Sequence, residues 1–316
     1  MPWEILIIAA AVIVIILCVL LLYICKKLFA LACERNVPRT VGDGFEKQLA
    51  EYKDIWQGGA ELYKTLDKED VWIKSNEGID LHGEIVKNGD CKKVIVCAHG
   101  FRSVPQHDFI AAMPYFYGKG FSFLLIDHRA HGKSGGEYIT YGVYERYDLQ
   151  NWVNFAVEKF GSDAQILLHG ISMGAATVLM ASGLELPKNV KAIIADCGFT
   201  SPHDIFVRVL DYSFHARPFP LLNIAGAMAK KKANFDFKGA STIDAMKKNT
   251  LPVLFVHGED DDFVPIEMSE RNYEACKAEK AFVRIKGAMH ACSYLVEKET
   301  CEREMDAFLA KHFENE

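Results

Sequence analysis

From Ile5 to Cys25 the chain reads ILIIAAAVIVIILCVLLLYIC, 21 residues without one charge. As a helix rising 1.5 Å per residue, such a run spans about 30 Å, the hydrocarbon thickness of a bilayer. A core helix of this length would normally show a polar face, and this stretch has none. Residues 1–27 are therefore read as a membrane anchor. A cleavable signal peptide calls for a basic segment before its apolar run, whereas only Met1-Pro2-Trp3-Glu4 precede this one. Lys26 and Lys27 follow it, and positive charge marks the cytoplasmic side, so the C-terminal bulk is expected there on a single-pass helix. Ala30-Leu31-Ala32-Cys33 has the small residues of a cleavage site and a faint lipoprotein look, but the intervening lysines make it a poor one.

The rest has the apolar and charged fractions of an ordinary globular protein. Thirty-six Lys and Arg against 42 Asp and Glu leave a net charge of -6, which provides no footprint for a phosphate backbone. Nucleic acid is excluded as a partner on that ground. Nine cysteines are scattered with no CxxC pair, and Cys97 and Cys197 stand in apolar runs, as small core residues do in a reducing compartment.

Beyond a linker and helical lead-in at 28–68, the segment 69–316 alternates strand-like and helix-like stretches. Val71–Lys74 and Leu81–Ile85 flank Asn76-Glu77-Gly78 as a hairpin. Compact apolar runs follow at Val94–Ala98, Phe121–Ile126, Ile166–His169, Ala192–Ala195, Val253–Val256 and Phe282–Ile285. Runs of this kind are buried on both faces, as in a parallel sheet. Between them, Asp108–Tyr117, Tyr144–Phe160, Met173–Ser182, Met268–Lys277 and Thr300–His312 read as helices. The alternation predicts a doubly wound α/β sheet. The long interval at about 197–246, with Pro218, Pro220 and an apolar stretch Leu221–Met228, reads as a lid over the carboxyl ends of the strands. Lys230-Lys231-Lys232 reads as a solvated face.

Gly170-Ile171-Ser172-Met173-Gly174 follows a strand and opens a helix, the context in which G-x-S-x-G raises a serine hydroxyl above a sheet. A serine needs a base and an orienting acid. Of the eleven histidines, His290 lies in a loop directly after the strand Phe282–Ile285, where the base belongs. The acid lies in His257-Gly258-Glu259-Asp260-Asp261-Asp262-Phe263-Val264-Pro265, and adjacent like charges cannot all be buried against one imidazole. A D-x-x-V-P reading selects Asp261, with Asp262 as the competitor and Asp260 also available. Oxyanion donors are expected from the backbone amides of Met173 and, in His99-Gly100-Phe101, of Phe101.

Together with Asp127-His128-Arg129-Ala130-His131-Gly132-Lys133-Ser134, these motifs resemble the α/β-hydrolase superfamily from Val71 to His312. Within it the chain is similar to membrane-tethered bacterial serine hydrolases grouped with serine aminopeptidase-like and esterase-like proteins. The resemblance implies a mostly parallel eight-stranded sheet, a Ser-His-Asp triad and no cofactor; the turn from Asp127 to Ser134 is structural in that family. Ala130 stands where the family often has glycine, a departure expected to matter little. No cluster has metal-ligand spacing. The expected reaction is acyl transfer to water from a small-molecule carboxylic ester or thioester. A peptidase or acyltransferase with the same triad is the alternative, and a non-catalytic membrane scaffold is the reading from another class. A carboxylate nucleophile, as epoxide hydrolysis or dehalogenation uses, is disfavoured where Ser172 stands. The sequence leaves the oligomeric state open.

Overall fold

The computed structural model describes residues 2–35, 37 and 43–313, without the side chains of 43–46. Its elements begin with α1 (Trp3–Cys33), α2 (Asp43–Glu51), α3 (Lys53–Thr65), β1 (Glu69–Lys74), β2 (Asp80–Val86) and β3 (Lys93–Ala98). Two short helices, α4 (Pro105–Asp108) and α5 (Met113–Gly118), lead to β4 (Ser122–Ile126), α6 (Glu145–Phe160), β5 (Gln165–Ile171) and α7 (Met173–Ala181). After β6 (Val190–Asp196) come α8 (Pro202–Phe214), α9 (Leu221–Ala233) and α10 (Thr242–Met246). The C-terminal part is β7 (Val253–Gly258), α11 (Ile266–Ala275), β8 (Lys280–Ile285), α12 (Ser293–Val296) and α13 (Lys298–His312).

The strands form one eight-stranded sheet in the order β1-β2-β4-β3-β5-β6-β7-β8. Only the β1–β2 and β2–β4 pairs are antiparallel; the others are parallel. The hairpin turns because the Ser75 hydroxyl accepts the amides of Glu77 and Ile79 while Gly78 takes a positive φ. Parallel strands buried on both faces need a core on each side. On one side Leu168, Ile193 and Phe255 pack with Trp152 of α6 and Leu179 of α7. On the other, Leu167, Ile194 and Leu254 pack with Phe116, Met305 and Phe308. The single helix read over Asp108–Tyr117 is instead α4 and α5. Pro105 and Pro114 each occupy a first turn, where the missing N–H costs nothing, and Pro114 inside one continuous helix would break it.

A third apolar cluster joins the lid helices to the end of α1: Phe29 and Cys33 pack with Met173, Phe206, Leu222 and Phe237. The N-terminal helix is long and apolar enough to cross a membrane, and its large side chains from Ile5 to Leu20 and from Leu22 to Ile24 are exposed. It does not stop at residue 27. It continues to Cys33 and is tied down there: the Arg102 guanidinium donates to the carbonyls of Leu31 at 3.1 Å and Glu34 at 2.7 Å. Those are among the carbonyls a helix end leaves unpaired. The Tyr141 hydroxyl donates to Ala32 O at 2.8 Å, and Lys232 of α9 meets Glu34 at 3.0 Å. Burying Phe29 contributes roughly 2 kcal/mol to this docking.

Candidate active site

The sheet register brings the site together. Ala98 pairs with Gly170, Ile171 with Asp196 and Gly258 with Ile285, so the loops after β3, β5, β7 and β8 emerge at one edge. Ser172 occupies the sharp turn between β5 and α7 with φ 55 and ψ -113, a strained conformation for a residue with a side chain. The flanking glycines are required by space. A Cβ on Gly170 would lie 2.3 Å from Gly174 O, and one on Gly174 would lie 1.7 Å from Ala98 O.

His290, in the loop after β8, places Nε2 2.9 Å from Ser172 Oγ. Its Nδ1 lies 2.7 Å from Asp261 Oδ2. Both side chains are buried, and Phe263 sets its ring edge-on to the imidazole. Of the three consecutive aspartates, only Asp261 turns inward. Its Oδ1 accepts the amides of Phe263 at 3.0 Å and Val264 at 2.8 Å, a local turn that aims Oδ2 at His290. Asp260 is exposed, and Asp262 meets the Tyr212 hydroxyl at 2.6 Å on the outside. Burial pushes the Asp261 carboxyl up, but the neighbouring His290 and hydrogen bonds from His257 and His290 outweigh it and hold it well below the usual carboxylate range.

Phe101 and Met173 line the same cavity as Ser172 and His290. Met173 begins α7, where the first amides have no intrahelical acceptor and carry partial positive charge. Around Phe101 the neighbouring amides are spent: Gly100 N donates to Asp108 Oδ2 at 2.7 Å, and Arg102 N to His131 Nε2 at 2.9 Å. Among the described residues the Phe101 amide has no acceptor, which singles it out in its loop.

Asp108 and His131, which hold this loop, were not among the sequence-derived site residues. Asp108 also accepts from Ser103 Oγ at 2.6 Å, and it is buried. His131 packs with His99 and His128 as three buried imidazoles. Burial lowers His128 to about 3 and His131 to about 4. A neutral imidazole can accept a backbone N–H, which is what His131 does for Arg102 and His99 for His128 at 3.1 Å. The histidines of the Asp127–Ser134 turn were the available signal.

Ala130 does matter to that turn: it sits at φ 59, the left-handed region that favours glycine. The turn itself is salt-linked, with Arg129 Nε and Nη2 gripping Asp148 at 2.6 and 2.7 Å. Cys197, Asp261 and His290 have potential metal-ligating atoms within 4.8 Å of one another. In this group the His290 and Asp261 atoms already face each other, and burial pushes the Cys197 thiol well up, away from the thiolate a cation would need. The donor set fits proton transfer better than a cation.

The comparisons agree with this architecture. Residues 93–218 match the α/β hydrolase fold family, and residues 164–291 match a serine hydrolase family (FSH1). The uncharacterized protein YqkD of Bacillus subtilis (strain 168) is 31% identical over 249 residues, covering 79% of this chain and 81% of that one. The α/β hydrolase domain-containing protein WAV2 of Arabidopsis thaliana is 26% identical over 261 residues, covering 78% and 80%. Among solved structures, the esterase PF2001 of Pyrococcus furiosus superposes with a TM-score of 0.65 at 22% identity, over 89% of this chain and 99% of that one. An acylaminoacyl peptidase of Pyrococcus horikoshii superposes at 0.59 with 18% identity, over 82% and 44%. The chain belongs to the α/β-hydrolase superfamily. Over residues 164–291 it is similar to serine hydrolases.

Proposed function

We propose that the protein is a membrane-anchored serine hydrolase that cleaves a carboxylic ester or thioester, with Ser172, His290 and Asp261 as its catalytic triad. In this reading Ser172 Oγ attacks the acyl carbonyl as His290 Nε2 takes its proton, and the C–O or C–S bond then breaks as His290 returns that proton to the leaving group. Water, deprotonated by the same nitrogen, attacks the acyl-enzyme and releases the acid with Ser172 restored. Asp261 keeps the His290 proton on Nδ1 and stabilises the imidazolium. The amides of Phe101 and Met173 bind the oxyanion of both tetrahedral intermediates. The observation that carries the reading is the unbroken relay, 2.9 Å from serine to imidazole and 2.7 Å from imidazole to carboxylate.

The cavity favours an ester over a free peptide N-terminus. Among the described residues the only acidic one lining it is Asp108, whose oxygens are occupied by Gly100, Ser103 and His107, which leaves none of these residues a free carboxylate for a substrate ammonium. The docked end of α1 favours a retained single-pass anchor, and Lys26 and Lys27 after the apolar run favour the cytoplasmic side for the catalytic domain. Cleavage near Ala32 would strip Phe29 from the core and cut a helix the body holds. The test is fluorophosphonate labelling of the full chain beside Ser172→Ala, followed by hydrolysis of p-nitrophenyl esters and aminoacyl anilides. Labelling of the parent alone, with esters turned over and anilides not, is the expected outcome. Equal labelling of both proteins removes Ser172 as nucleophile, and faster anilide hydrolysis makes the enzyme a peptidase.

A further inference from the structure

The cavity that ends at Ser172 is about 140 Å³ and is shared by three parts of the chain. Its catalytic end holds Ser172 and His290, with the Phe101 loop beside them. Away from that end its walls are carbon: Phe206 and Leu210 from α8, Leu222 and Ala225 from α9, and Leu28 and Ala32 from α1. A membrane anchor has no need to furnish a substrate wall, yet this one does. Ile24 is the last exposed large side chain of the apolar run, and Leu28 lines the cavity one helical turn later. At 1.5 Å per residue those positions are about 6 Å apart along the axis. The cavity wall thus begins where the lipid-facing surface ends.

The lid supports the same placement. Cys25 Sγ lies 3.8 Å from Leu221 O, so the start of α9 stands level with the end of the bilayer run. The loop before it exposes Phe219 to 77%, two residues from Leu221, and the preceding helix end exposes Phe214, which lines the cavity, to 43%. Lys26 and Lys27 directly follow Cys25 and Arg217 lies four residues before Leu221, positive charge suited to a headgroup layer. Exposed aromatic side chains at a membrane boundary bury in the interface rather than meet water.

We infer that the cavity is an acyl-chain site for an ester resident in the bilayer, entered between the last turns of α1 and the loop joining α8 to α9. This rests on Ser172 being an acyl-transfer nucleophile and names the substrate class for it: a long-chain acyl ester, cleaved by water to the fatty acid and its alcohol. The chain lies along Leu28, Ala32 and Ala225 while its carbonyl reaches Ser172. A water-borne carrier is the other source of the same acyl chemistry, and the exposed aromatics of the lid favour the bilayer.

The experiment uses the full chain in vesicles of phosphatidylethanolamine and phosphatidylglycerol, with p-nitrophenyl palmitate and p-nitrophenyl acetate as probes that share one leaving group. The palmitate ester is expected to have at least about tenfold higher kcat/KM, since each buried methylene contributes to binding. Ala32→Trp and Ala225→Leu, which fill the cavity from different helices, are each expected to lower the palmitate-to-acetate ratio at least about tenfold. Fluorophosphonate labelling of Ser172 is followed in the same samples. No chain-length preference in the parent, or equal falls for both esters in both variants, overturns the acyl-chain site while acetate turnover and labelling leave the hydrolase reading standing. Absence of both labelling and acetate turnover sinks the hydrolase reading itself. Moving the palmitate ester to separate enzyme-free vesicles, with albumin as a water-borne carrier, is expected to slow turnover at least about tenfold, because an apolar chain leaves a bilayer reluctantly. Equal rates overturn the route through the bilayer.

Discussion

Two imidazole–carboxylate pairs in this molecule have almost the same nitrogen-to-oxygen distance and different surroundings. His290 Nδ1 lies 2.7 Å from Asp261 Oδ2, and His82 Nδ1 lies 2.8 Å from Asp127 Oδ2. All four side chains are buried. The difference is what the second ring nitrogen meets. For His82 it is another carboxylate, Asp70 at 2.7 Å, so both nitrogens face acceptors and the ring is a strut between β1, β2 and the turn that follows β4. For His290 it is the Ser172 hydroxyl, a donor, so that nitrogen is left as a base. A buried His–Asp pair is therefore no mark of catalysis by itself. Its third partner, and the cavity that partner opens into, decide the role.

That contrast can be broken by mutation. Asp261→Asn is expected to lower kcat on the order of ten-thousandfold, because the wrong tautomer then faces Ser172, with the chain still folded; ester turnover beside circular dichroism measures it. His82→Ala is expected to do the reverse. It leaves Asp127 buried with only the Lys133 amide against that oxygen and costs about 3 kcal/mol in urea denaturation. Activity per fluorophosphonate-titrated molecule stays within about twofold of the parent. A loss of turnover in His82→Ala as large as in Asp261→Asn would erase the distinction.

Two smaller effects sharpen it. Asp196, buried at the end of β6 near His257 and His290, is pushed up by burial from 3.8 to about 6, those histidines offsetting only part of the rise. A carboxyl raised in the folded state favours folding while protonated; the contribution is full below pH 3.8 and is lost as pH rises through about 6. Asp196→Asn is therefore expected to gain up to ~3 kcal/mol over the parent near about pH 7.5 and little near about pH 4, read from denaturation at both. On the strut side, Ala130→Gly relieves a left-handed φ and is expected to raise stability by about 1 kcal/mol, seen as a higher melting temperature with unchanged turnover.

What the sequence made legible was local. Strands such as Val94–Ala98 carry their own burial pattern, and the turn around Ser172 needs its two glycines for reasons set within a few residues. The choice among Asp260, Asp261 and Asp262 was harder, because it depends on which carboxylate caps the amides of Phe263 and Val264 in three dimensions. Arg102 and Asp108 were invisible as positioning groups. One reaches about 70 residues back to the end of α1 and the other folds onto Gly100, contacts with no periodicity to announce them. The extent of α1 was misjudged for a related reason. Hydropathy falls at Lys26 and Lys27, but a helix ends where its hydrogen bonds end, and here the body supplies partners as far as Cys33.

Gly174 has one more implication. With the Ala98 carbonyl 1.7 Å from where a methyl would stand, neither the elbow nor β3 beneath it has room to vary. The cavity walls from α1, α8 and α9 share no backbone with that turn. A lineage built this way can exchange the residues that choose its substrate while its chemistry stays frozen, so diversity among descendants should collect in the roof and the tether and spare the hinge of glycine on which the serine stands.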